Sequence, residues 1–301
     1  MTGLGVLGEL DAWAVLMVLS AAMLYGSSLF AVGSLLFAMA FPDCPASVRR
    51  TLTRGLLVAA WVAILTTLVR WPLQAGFLGG GSWAAAVDPM LLGVVLESPL
   101  GVRTGMSLAG LLLLQAMVIE RGGLRRIGKV LALMGAVVVL LSFSQVGHTR
   151  ADPRWLLGGL LMAHLAAVAF WIGAFLPLYR LAGFPLDDPM PGRILSRFGR
   201  VATVAVGLLV LSGLLLAWWL VGGVWPLVTT AYGQWLLFKI ALVSVLLGFA
   251  AWNKWRLVPS LERGAAFARG RLRSSFVAEL SLVGGILLVT ALLTTASAPG
   301  A

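Results

Sequence analysis

The chain has 301 residues and only two histidines, His148 and His164. Imidazole suits borderline and soft transition metals, and it is the usual acid–base group near neutral pH. His164 lies about nine residues inside a long apolar run, roughly 13 Å deep at 1.5 Å per residue. His148 ends the preceding apolar run, in Gly147-His148-Thr149. The segment 149–154 between the runs is short, so the two runs are expected to be antiparallel neighbours. Both histidines then fall in one half of a helical bundle. A lone histidine at a helix end is often a solvated cap, and one on an apolar helix is often tied to a backbone carbonyl. The pair at a similar depth favours a site.

Methionine extends the set. Met17, Met23, Met106 and Met162 stand in the same half, and thioether with imidazole favours Cu(I). Methionine at helical spacing is more often packing filler. Met17 and Met23 are six apart and share a face poorly, so one is expected to turn inward. Met23, nearer His164 in depth, is the candidate third ligand. Trp171 lies two turns beyond His164 on the same face and is expected to wall a cavity. Glu279, a carboxylate inside an apolar run, is either an exit point for a cation or a carboxylate tethered to a neighbouring helix. Lys239 is expected to snorkel outward. Asn253 and Lys254 read as boundary residues. The single cysteine, Cys44, excludes an intrachain disulfide and a CxxC site. No Walker, GxSxG, HExxH or dinucleotide motif is present, so neither nucleotide nor catalytic hydrolysis is expected.

What positions these groups is an apolar chain. Charged residues make up 11% and apolar residues 60%, with a mean hydropathy of +1.00. Soluble domains carry roughly 25% charged residues. The fold class expected is therefore an all-α integral membrane protein. Eight spans are expected, at about 12–40, 54–78, 103–120, 128–147, 155–180, 201–223, 234–252 and 275–296. Residues 79–102 read as an interfacial amphipathic segment, and 182–199 as an irregular loop. Glu9 and Asp11 precede the first run in place of a basic leader, so that run reads as a span and not as a cleaved signal.

The net charge of +11 would suit a nucleic-acid binder, but its placement does not. Seventeen of the 22 cations flank the connections after spans one, three, five and seven. Only Arg70, Arg103, Arg150 and Arg154 fall on the opposite side, and Lys239 lies within span seven. By the positive-inside rule the odd-numbered connections are cytoplasmic and both termini are periplasmic. Nucleic acid is not an expected partner; the lipid bilayer is.

A weak repeat divides the chain at 1–147 and 148–301. Phe30-Ala31-Val32-Gly33 resembles Phe170-Trp171-Ile172-Gly173. Thr53-Arg54-Gly55 resembles Gly199-Arg200-Val201, and Ser98-Pro99-Leu100-Gly101 resembles Thr230-Ala231-Tyr232-Gly233. Two parallel four-helix halves would produce this order, and so would chance among Leu/Ala/Gly-rich helices.

Several strings together resemble a known family. Ser142-Phe143-Ser144-Gln145-Val146-Gly147-His148 is followed by His164, Trp171-Ile172-Gly173 and Leu176-Pro177-Leu178. Arg197-Phe198-Gly199-Arg200, Leu211-Ser212-Gly213, Tyr232-Gly233-Gln234-Trp235-Leu236-Leu237-Phe238-Lys239 and Asn253-Lys254 come after. The set is similar to the CopD (PcoD-like) copper resistance membrane proteins, well over 140–296 and more loosely before. The resemblance implies an eight-span bacterial inner-membrane protein that moves copper inward, beside a periplasmic CopC-like copper chaperone. It carries His148 and His164 as metal ligands, with Trp171 and Gly173 as neighbours and copper, as Cu(I) or Cu(II), as the ion. Two other readings remain at this point: a membrane redox protein holding b-type haem between the two histidines, and an assembly factor delivering copper to an oxidase.

Overall fold

The computed structural model describes residues 11–119, 124–147, 152–185 and 189–295. Among these residues, eight helices are long and apolar enough to cross a membrane. They are α1 (Ala12–Ala40), α2 (Ala46–Leu78), α3 (Pro99–Val118), α4 (Leu124–Gln145), α5 (Arg154–Leu181), α6 (Pro189–Val221), α7 (Ala231–Glu262) and α8 (Ala266–Thr295). The fold is all-α.

Local chemistry sets several helix ends. Asp11 caps α1 by accepting from the Ala14 N–H at 2.7 Å. Ser98 caps α3, with Pro99 in the first turn, where its missing N–H costs nothing. Thr230 caps α7 through the Gly233 N–H at 3.0 Å. Between α2 and α3 the segment forms two short helices, Trp83–Ala86 and Pro89–Glu97, the second capped by Asp88.

Four helices run further than hydropathy indicates. α2 begins at Ala46, α6 at Pro189 and α8 at Ala266, while α7 continues to Glu262. The added turns are the basic ones. Hydropathy registers only the part of a helix that sits in hydrocarbon, and a helix has no reason to unwind where it leaves it. The irregular loop expected over 182–199 is accordingly helical from Pro189. Two prolines, Pro189 and Pro191, fall in its first turn, where proline is tolerated.

α1 and α5 form the centre. α1 packs on α2, α5 and α8, and α5 packs on α6; α3 pairs with α4, and α7 with α8. The main core gathers Val32, Leu35 and Phe37 of α1, Leu56 and Ala60 of α2, and Phe170, Ile172 and Phe175 of α5. Large apolar residues such as Val58, Leu65, Val204 and Leu214 are exposed on the outside, as lipid-facing positions are. α6 and α7 bury little of their length against the rest of the protein.

The ends of the helices meet on two faces. One, the basic face, is tied by Arg197 to the Asp43 carboxylate and the Ala40 carbonyl, by Arg269 to the Phe184 carbonyl and by Arg273 to the Tyr179 hydroxyl. At the other, the Trp13 indole donates to the Leu73 carbonyl at 3.0 Å and meets Trp83 edge-on. Arg70 and Arg103, expected at that end, are not in connections. Both are buried within α2 and α3.

Candidate functional site

α5 carries polar groups at two levels. His164 faces α6. Its Nδ1 lies 3.2 Å from the Leu209 carbonyl oxygen and 3.3 Å from Ser212 Oγ. A carbonyl can only accept, so Nδ1 holds the proton in this bond and Nε2 keeps its lone pair. This is the backbone-tethered histidine expected of an apolar helix, and the same tether leaves Nε2 oriented as it is in histidines that ligate metals. Ser212 Oγ donates its own proton to the Leu208 carbonyl at 2.6 Å. Gly213 lets the ring lie against α6, since a Cβ there would stand 3.2 Å from His164 Cε1. The Leu211-Ser212-Gly213 string thus acts as the cradle of His164, a role its sequence alone did not reveal. Lys239 of α7 is half-buried and near enough to the imidazole for direct electrostatic interaction.

Two turns further along α5, Trp171 enters a cavity of about 370 Å³ between α5, α6, α7 and α8. Glu279 is buried at its side, 2% exposed. Asn253 Nδ2 donates to Glu279 Oε1 at 2.5 Å, and Ser275 Oγ donates to the same oxygen at 3.4 Å, with the Trp171 indole beside them. Asn253 Oδ1 is buried and has no hydrogen-bond partner among the described residues. Lys254 and Arg200 line the cavity toward the basic face, with Lys254 Nζ 2.5 Å from Thr203 Oγ1.

Asn253 corrects the sequence reading. It does not end a helix. It opens a π-helical turn, Asn253–Leu257, inside the continuous helix α7. Such turns are frequent at functional sites, because the extra residue rotates the side chains that follow. Glu279 is bonded to the neighbouring helix α7, and the partner is an amide.

The remaining candidates are placed differently. His148 lies outside the described residues. Met23 is 55% exposed on α1, pointing away from the bundle interior. The buried methionine of α1 is Met17, which packs with Trp13, Leu73 and Ala86. Among the described residues, no group of three or more His, Cys, Asp or Glu side chains is placed to hold a metal ion.

Comparison with known proteins assigns the chain to a family. Residues 192–293 match the family model described as Copper resistance protein D, and residues 10–159 match Copper resistance protein D-like, N-terminal domain. A protein named Copper transport protein CutJ from Bacillus subtilis (strain 168) is 26% identical over 257 residues, which are 82% of this chain and 46% of that protein. This chain therefore spans less than half the length of that relative. A protein named Copper resistance protein D from Pseudomonas syringae pv. tomato is 27% identical over 291 residues, 91% of this chain and 92% of that protein. No solved structure gives a significant match. The two family models between them take in α1 to α4 and nearly all of α6 to α8, with most of α5 lying between the two matched stretches, and the chain belongs to the copper resistance protein D family.

Proposed function

We propose that this protein carries copper across a bacterial inner membrane, from the periplasm toward the cytoplasmic basic face. The observation that carries the reading is the two-level arrangement on α5. An imidazole with an oriented Nδ1 and an available Nε2 lies in one half of the membrane. In the other half, a cavity holds a buried carboxylate and an amide oxygen with no hydrogen-bond partner among the described residues. Seven residues separate His164 from Trp171, about 10 Å along the helix. The imidazole of His164 and the carboxyl of Glu279 beside Trp171 are groups that a bilayer does not tolerate without a purpose.

In this scheme copper arrives from a periplasmic CopC-like chaperone and binds His164 with His148. Lys239 stands near this position, and its positive charge opposes a cation there. The opposition is half as strong for Cu(I) as for Cu(II), so Cu(I) is the ion proposed, in keeping with imidazole and thioether ligation. Copper then passes along α5 to the cavity, where Glu279 and the Asn253 carbonyl oxygen receive it before release between Lys254 and Arg200. Met23 contributes a thioether only by turning inward from its exposed position. The chemistry at the copper is ligand exchange, and no covalent step on the protein is invoked.

The test is Cu(I) binding to the detergent-purified protein and Cu(I) entry into proteoliposomes. His164→Ala is expected to abolish binding with expression intact. Glu279→Gln is expected to slow entry while leaving binding unchanged. Binding that survives His164→Ala overturns the entry site. Entry at the wild-type rate in Glu279→Gln overturns the role of the cavity. A Soret band in the purified protein would replace copper transport with haem chemistry.

A further inference from the structure

Arg70 of α2 and Arg103 of α3 are two buried cations that the copper path does not use. Each is 9% exposed. Both line one small cavity of about 30 Å³, together with Thr67, Gln74, Thr104 and Ser107. Arg70 Nη1 donates to the Met17 carbonyl at 2.9 Å and to Ser20 Oγ at 2.7 Å. The Arg103 guanidinium is wedged against aromatic rings, 5.1 Å from the Phe143 centroid and 5.9 Å from that of Tyr25. Arg103 Nε is buried and has no hydrogen-bond partner among the described residues. The one ion pair among the described residues is Arg197–Asp43, on the basic face, so no described carboxylate pairs with either guanidinium.

Two guanidinium groups in one low-dielectric space are costly. Arginine keeps its proton, so the cost is not relieved by neutralisation. Lipid-exposed spans supply no water to screen it. What relieves it is an anion held between them. We propose that this cavity is an anion-binding site for a monatomic ion of chloride size, the counter-ion of Arg70 and Arg103. The volume sets the class: a water-sized particle needs roughly 10–15 Å³ by this measure, so the space takes two or three of them, or one larger monatomic ion. The same acceptor chemistry is offered by an oxygen of a lipid phosphate, whose remaining atoms would not fit. Donors beyond the two guanidiniums come from Thr104 and the Gln74 amide. Ser107 has already given its proton to Ser142 Oγ at 2.9 Å. An ion so held ties α2 to α3.

The experiment uses the full-length protein in nanodiscs of zwitterionic lipid, free of copper. Its melting is compared in sodium chloride and sodium gluconate at one ionic strength, and 35Cl line widths are titrated with bromide as competitor. A Tm several degrees higher in chloride, saturable, with broadening that bromide displaces, is the expected result. Arg103→Gln is expected to remove the broadening, and Thr104→Val, which leaves both charges in place, to weaken it several-fold. Equal melting in both salts with no broadening means that the cavity holds water only, and it overturns the proposal. Broadening that persists in both variants also overturns it. Repeating the titration in phosphatidylglycerol nanodiscs separates the two sources. An unchanged chloride shift supports the monatomic ion, whereas a shift abolished by the anionic lipid assigns the site to a lipid phosphate and overturns it.

Discussion

Gly33 of α1 and Gly173 of α5 lie backbone against backbone. A Cβ on Gly33 would strike the Ala169 carbonyl and the Gly173 nitrogen, and a Cβ on Gly173 would strike Gly33 and the Ser34 nitrogen. These are the glycines that end the two matching strings Phe30–Gly33 and Phe170–Gly173. The ends of the two strings therefore meet where α1 packs on α5. Close approach through small residues is how helices associate where lipid competes for apolar surface.

Substitution at this crossing is expected to be severe. Gly33→Leu or Gly173→Leu forces the two backbones apart and should cost at least the about 1–3 kcal/mol typical of overpacking. Thermal melting in detergent reads this directly. A variant that melts like the wild type would mean that the helices do not cross there.

Asn253 and Glu279 are expected to respond unequally. Asn253→Leu leaves the buried carboxyl only the Ser275 hydroxyl and the Trp171 indole as donors and should cost about 1–3 kcal/mol. Glu279→Gln keeps a carbonyl oxygen for the Asn253 amide and should change stability by less. Denaturation midpoints of the two variants, measured side by side, check the order; the reverse order would place the hydrogen bond elsewhere.

Cys44, in the short connection between α1 and α2, offers a pH test on the basic face. Burial, reinforced by the neighbouring Asp43 charge, pushes its thiol up from 9.0 to about 11, against a smaller opposing pull from Arg49. Its folded form therefore keeps the proton above the range in which an unfolded thiol ionises, and its contribution to stability falls as pH rises through that interval. Alkylation by a maleimide should be slow at pH 8 and still rising past pH 9. A plateau by pH 9 would contradict the buried position.

Asp43 links that thiol to α6 through Arg197 at 3.3 Å, an exposed pair. Asp43→Asn should change stability by less than about 1 kcal/mol. It should also speed Cys44 alkylation, because one of the two causes that raise the thiol's pKa is removed. Unaltered alkylation would mean that burial alone sets the thiol.

The direction of the chain in the membrane has its own test. By the positive-inside rule, the seventeen cations of the odd-numbered connections are expected to keep that side in the cytoplasm and Ala301 outside. A reporter active only in the cytoplasm is expected to be silent when fused after Ala301, and active when inserted after Gly264, in the turn between α7 and α8. The opposite pattern would invert the transport direction proposed above.

Much of the architecture was legible because hydrocarbon imposes a simple rule on composition. All eight spans were visible as apolar runs near Leu24, Ala60, Leu111, Val139, Leu165, Leu209, Leu242 and Leu288. Their basic ends were not, since Arg193 or Arg269 in a helix looks the same to hydropathy as an arginine in a loop. The polar groups were visible as types but not as partners. Glu279 stood out as a carboxylate in an apolar run, yet nothing in its spacing pointed to Asn253, which reaches it through a π-helical turn 26 residues away. Ser212 and Gly213 were noticed as a string and acquired a role only when α6 was seen to lie against His164. The exposure of Met23 was hidden because a helix facing lipid on one side and protein on the other is apolar all round, so its face cannot be read from periodicity.

α6 and α7, which bury little of their length, also form the outer half of the cavity around Trp171 and Glu279. One wall of that chamber is thus braced by the packed centre of the protein, while the other is braced mostly by acyl chains. Its volume becomes a property shared with the bilayer. A thinner membrane tilts long helices at a cost of fractions of a kcal/mol per ångström, and the two weakly held helices yield first. Bilayer thickness then sets how wide the chamber beside Glu279 stands, through the lipids a cell makes and independent of any ligand.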